Sequence, residues 1–117
     1  MLDLNEKSVE DALEWMVKNE DDLAQAKAAY HDLDRFTKTI KAKLMFEMNE
    51  LSIGLGRGSL SISARESDAL ANPQYINHLN NLRTAEEEYL KLEYKMDHNK
   101  LICQLWQTFS ANRRQSV

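Results

Sequence analysis

The chain has 117 residues, 43% hydrophobic and 29% charged, with a net charge of −4, which is the composition of one folded domain and not of a disordered chain. Three Gly and one Pro exclude a turn-rich β-sandwich or barrel, and the single cysteine, Cys103, excludes an intrachain disulfide framework and a multi-cysteine zinc site. No apolar run approaches the roughly 20 residues of a membrane span, and the acidic start MLDLNEKSVEDALEW lacks the charged-then-apolar layout of a signal peptide.

In chain order, residues 1–7 read as frayed. Ser8 reads as an N-cap with Asp11 three positions on, and Glu10 and Asp11 suit the positive end of a helix dipole, so a short helix is predicted over about 9–18. Asn19 to Asp22 reads as a second start signal. From there Leu23, Ala26, Tyr30, Leu33, Thr37, Ile40, Leu44, Met48 and Leu51 recur at steps of three and four. That spacing is the seam of a long helix over about 20–52, uninterrupted by Gly or Pro and about 50 Å long at 1.5 Å per residue.

Gly54, Gly56 and Gly58 break the pattern. Leu51 to Leu55 and Leu60 to Ser63 alternate in polarity, which suits a small hairpin around Arg57. An isolated hairpin is marginal in water, so 53–63 is read as a flexible glycine-containing connector. Ser63-Ala64-Arg65-Glu66 reads as a capping box, which predicts a short helix over about 64–71. Asn72-Pro73 is a further start signal, with Asn as cap and Pro at the first helical position. The last helix is predicted over about 73–112, with a seam of Ile76 or Leu79, then Leu82, Ala85, Tyr89, Leu92, Met96, Asn99, Cys103, Trp106 and Phe109.

The expected fold is therefore all-α: one domain built as a long antiparallel helical hairpin, coiled-coil-like, with short additional helices. Phe36, Met45, Phe46, Leu90, Tyr94, Leu101, Ile102 and Leu105 lie off the two seams and widen the apolar arc. A homodimer with a four-helix core is expected to cover them. The residues expected in the core or dimer seam are Leu33, Ile40, Leu44, Leu82, Tyr89, Leu92, Met96 and Cys103. Asn99 falls on that seam, where a polar residue either fixes register or lies hydrated near a helix edge.

The residues carry no pattern of a catalytic or metal centre. His31, His78 and His98 lack a second His three or four positions away, and no Glu-x-x-His pair occurs, so no metal or other cofactor is expected. The run Gly54-x-Gly56-x-Gly58-Ser59 follows a helix rather than a strand and lacks the lysine of a phosphate-cradling loop. Cys103 sits beside Ile102, Leu105 and Trp106 and reads as a small buried hydrophobe. No G-x-S-x-G elbow is present, so the chain reads as a non-enzyme.

Charge is uneven. Residues 1–26 carry net −6, residues 27–65 net +3 and residues 66–117 net −1. In the basic middle, Arg35, Lys38, Lys41, Arg57 and Arg65 are candidate nucleic-acid contacts, although bases interleaved with apolar residues also flank a seam. Near the C-terminus, Trp106 and Phe109 share a helix face and Arg113 and Arg114 follow. These four are candidate partner-binding residues, and the two arginines also complement the negative end of the helix.

Ala64-Arg65-Glu66, Ala69, Tyr75, Leu79, Leu82, Ala85, Leu92 and Leu105-Trp106-Gln107 with Ala111 and Arg113 form a pattern that resembles a group of small helical phage and prophage proteins. The resemblance spans about residues 63–114, and Gln104 and Gln107 stand where that group commonly has an acid and an arginine. It implies a phage origin, a bacterial cytoplasmic setting, and genes placed among those of recombination or replication.

Three functions are expected in order. The first is a non-enzymatic accessory protein that binds a protein partner of phage DNA recombination or replication. The second is an inhibitor of a bacterial defence nuclease or CRISPR effector, for which the acidic start is suited. The third is weak nucleic-acid binding through the basic middle, which the overall negative charge opposes.

Overall fold

The computed structural model describes residues 4–115, with side chains up to Arg113. It contains three helices, α1 (Glu6–Gly54), α2 (Ile62–Ala71) and α3 (Pro73–Gln115), and no strand among the described residues.

α1 starts earlier than the sequence predicts. Asn5, not Ser8, is the cap: its Oδ1 accepts from the Ser8 backbone N–H at 2.8 Å, and its own N–H donates to Ser8 Oγ at 3.2 Å. The two side chains satisfy two of the donors that a helix start leaves open. The predicted break near residue 19 is absent, so the separate helices expected over 9–18 and 20–52 are one. Asn19 sits inside α1 and its Nδ2 donates to the Trp15 carbonyl at 2.9 Å. A polar residue with cap chemistry does not end a helix when neither Gly nor Pro interrupts the chain around it.

The connector is also more ordered than predicted. The Gly56 N–H donates to the Ile53 carbonyl and the Arg57 N–H to the Ser52 carbonyl, each at 3.0 Å. This pair of bonds closes the end of α1, with Gly56 at φ 75°, a left-handed position that costs glycine little. Asn49 Oδ1 then accepts from the Leu60 N–H at 2.8 Å and from Ser59 Oγ at 3.1 Å. Neither a hairpin nor an unstructured tip is present; the connector folds back on the last turns of α1.

α2 is capped by Ser61, whose Oγ accepts from the Ala64 N–H at 3.1 Å, two positions before the predicted capping box. Glu66 is thereby released from a capping role and pairs with Lys41 instead. Asn72 joins α2 to α3. Its N–H closes α2 on the Ala69 carbonyl, and its side chain and carbonyl accept from the Gln74, Tyr75 and Ile76 N–H groups at the start of α3.

The chain divides into two compact units, one formed by Met1–Lys27 with Glu87–Val117, the other by Ala28–Glu86. In the Ala28–Glu86 unit, Thr37 of α1 bonds His78 of α3, and further along α1 Leu44 packs with Tyr75. Numbers rise on one helix as they fall on the other, so the pair is antiparallel. The core here is Leu44, only 1% exposed, with Ala69 of α2 and Tyr75 of α3, flanked by Ile40 and Met45. In the other unit the Lys95 ammonium of α3 stands 5.0 Å from the Trp15 ring centroid of α1. Ala12, Met96 and Ile102 are its buried apolar residues.

The seam departs from prediction at both helix ends that meet the connector side. On α3, Tyr75 and His78 are buried while Ile76 and Leu79 are exposed. At 100° per residue, Tyr75 and His78 lie within about 40° of Leu82 on the helix, whereas Ile76 lies about 120° away. Phase, not hydrophobicity, selects the buried pair. On α1, Ser52 is 7% exposed and Leu51 58%. Ser52 is covered because the connector returns over it, and its Oγ donates to the Gly58 carbonyl at 2.8 Å.

Candidate functional site

The Trp106 and Phe109 rings lie 6.3 Å apart between centroids, tilted by 30°. They follow Met96 and Ile102 along α3, and the three-residue step puts both rings on one side of the helix. The first turn of α1 meets them, because the Asn5 cap fixes where Leu4 to Lys7 run. Together Leu4 to Lys7, Trp106, Phe109 and Arg113 line an open groove of about 530 Å³. Trp106 is half-buried and Phe109 exposed. The predicted residues Trp106, Phe109 and Arg113 are thus brought to one groove. Arg114 lies outside the residues whose side chains are described. Two aromatic faces suit an apolar side chain, the composition common at energetic centres of protein interfaces, and Glu6, Lys7 and Arg113 put both charge signs on the rim.

The basic residues are not used alike. Lys41 Nζ donates to Glu66 Oε1 at 2.7 Å. That bond holds the Glu66 carboxyl below its ordinary range and raises the Lys41 ammonium, against a smaller opposite effect of burial in each. Arg65 Nε donates to the Leu60 carbonyl at 2.9 Å and its terminal nitrogen to Ser59 Oγ at 3.2 Å. Lys41 and Arg65 therefore fasten α2 and the connector within the Ala28–Glu86 unit. Arg35 and Lys38 are exposed one turn apart on α1, and Arg57 is exposed in the turn after it.

Of the seam residues, Leu44 and Met96 are buried, and Leu33, Ile40, Leu82, Tyr89, Leu92 and Cys103 are half-buried. Phe36, Phe46, Tyr94, Leu101 and Leu105 are exposed, while Ile102 is buried.

Several polar features escape a reading by pattern. Thr37 Oγ1 lies 3.3 Å from the Leu33 carbonyl oxygen and 2.9 Å from His78 Nε2. The hydroxyl has one proton, so it donates to only one of these two partners, and the tautomer of the buried imidazole sets which. The Tyr30 phenol is raised above its ordinary value, chiefly by the Glu86 charge, then by burial and Asp34. Asn99 is 8% exposed and its Nδ2 has no hydrogen-bond partner among the described residues. A second groove, about 380 Å³, runs between Leu13, Met16, Val17, Glu20 and Leu23 of α1 and Met96 and Lys100 of α3. Its sequence signal is Leu13, Met16 and Val17, apolar residues that precede the seam beginning at Leu23.

Among the described residues, no group of three or more His, Cys, Asp or Glu is placed to hold a metal ion, and no helix is long and apolar enough to cross a membrane. The chain matches no family model, and neither the curated proteins nor the solved structures give a match.

Proposed function

We propose that this chain is a non-enzymatic accessory protein of a phage or prophage, acting in the bacterial cytoplasm by binding a protein of DNA recombination or replication. The observation that carries the reading is the groove of Trp106 and Phe109 beside the first turn of α1, whose two aromatic faces fit an apolar side chain of a protein partner. The resemblance of residues 63–114 to small phage proteins supplies the biological setting. The test is affinity purification from phage-infected bacterial lysate, with and without nuclease, using the wild-type chain and Phe109→Ser. A recombination or replication protein that survives nuclease and is lost with Phe109→Ser supports the reading. Capture that vanishes with nuclease assigns nucleic acid as the ligand and overturns it.

One observation favours the inhibitor reading as second. The acids Glu10, Asp11, Glu14, Glu20, Asp21 and Asp22 are all exposed along the start of α1. A row of exposed carboxylates on a rigid helix suits a cationic nucleic-acid channel. Neutralising them abolishes inhibition of a defence nuclease if that reading holds, and retained inhibition refutes acidic mimicry.

A further inference from the structure

We propose that the groove of Leu13, Met16, Val17, Leu23 and Met96 is the docking surface for a second copy of this chain, with Glu20 of each copy set against Lys100 of the other.

The groove leaves apolar side chains uncovered: Val17 is 77% exposed, and Leu13, one turn before it on α1, is exposed as well. An apolar patch of this kind, rimmed by charge, marks an interaction surface.

Charge selects the occupant. Glu20 on α1 and Lys100 on α3 stand on the two helices that wall the groove, and neither forms an ion pair among the described residues. A two-fold operator that brings Glu20 of one copy to Lys100 of the other brings Lys100 to Glu20 as well, so one contact is made twice. A surface with an apolar floor and one charge of each sign is therefore complementary to itself. A partner of a single charge sign satisfies one wall and repels the other.

This surface is separate from the aromatic groove of the proposed function, so the two fail independently. The experiment is sedimentation velocity of the full chain across a hundredfold concentration range, with helicity followed by circular dichroism. The wild-type chain is expected to sediment at twice 13.6 kDa. Val17→Asp, at an exposed position, is expected to give a monomer with unchanged helicity. Glu20→Lys alone and Lys100→Glu alone are each expected to raise the dissociation constant at least tenfold, and the two together to restore it. Phe109→Ser is expected to leave the dimer intact. A wild-type chain that stays monomeric throughout overturns the proposal and leaves the groove to a different protein. A dimer indifferent to Val17→Asp and to both charge reversals overturns it too, and moves the interface to another face such as Tyr94, Leu101 and Leu105.

Discussion

Replacing Leu44 by Ala tests the core of the Ala28–Glu86 unit. Leu44 is the one large side chain that is fully buried among the described residues, at 1% exposure, and it closes α1 against Ala69 and Tyr75. Three carbons leave the interior, worth about 2.4 kcal/mol at about 0.8 kcal/mol per methylene. The surroundings are long helices that cannot collapse fully into the gap, so a cavity term adds to this, and about 3–4 kcal/mol is expected in total. For a chain of this size that corresponds to a fall in Tm of about 12–16 °C. Urea unfolding followed by helicity at 222 nm measures the loss. Two neighbours give the scale. Leu51→Ala removes as many carbons from an exposed position and is expected to cost about 0.5 kcal/mol or less. Ser52→Ala removes the bond to the Gly58 carbonyl and is expected to cost about 1 kcal/mol. If Leu51→Ala costs as much as Leu44→Ala, the end of α1 buries a different face and the reasoning is wrong.

The Lys41–Glu66 pair predicts a pH dependence. The Glu66 carboxyl lies below its ordinary value, so its contribution is present above the unfolded value near 4.3 and is lost as pH falls through the lower folded value. The Lys41 ammonium is raised, so its contribution is present below about 10.4 and is lost as pH rises through the folded value. The stability difference between wild type and Glu66→Gln should hold steady from about pH 5 to pH 10 and shrink towards pH 3; a difference equally large at pH 3 and pH 7 would rule the pair out as its cause. At Asn99, a buried amide whose Nδ2 has no partner carries a desolvation cost. Asn99→Leu removes that cost and is expected to raise stability by about 1–3 kcal/mol in urea unfolding, and a loss of stability would show that the amide is satisfied in solution.

The helical architecture was legible because two rows of apolar residues at steps of three and four, with Gly and Pro confined to one stretch, admit few other solutions. The middle of each seam was legible for the same reason: Leu33, Ile40 and Leu44 on α1, and Leu82, Tyr89, Leu92 and Met96 on α3, are all buried or half-buried. The ends were not. Ser8, Asn19 and Ser63 each carry cap chemistry, yet none is a cap, because a hydroxyl or amide serves equally well within a helix or against a neighbouring turn. The candidate site was legible in part. Trp106 and Phe109 announce themselves as neighbours on α3, but the residues that complete their groove, Leu4 to Lys7, lie about a hundred positions away.

The sequence by itself determined that the chain is all-helical and that two apolar seams must meet, but it placed a break near residue 19 that α1 does not have. Only the tertiary structure decided which basic residues remain available. Lys41 and Arg65 are drawn into contacts with Glu66, Leu60 and Ser59, while Arg35, Lys38 and Arg57 stay exposed. It also decided that Ser52 and His78 are buried in place of Leu51 and Leu79. The physical reason is the same in both cases. Periodicity is a property of one helix, and it fixes which face must be covered. What covers that face, and which polar groups are satisfied there, depends on the connector and the partner helix, whose approach no local pattern encodes.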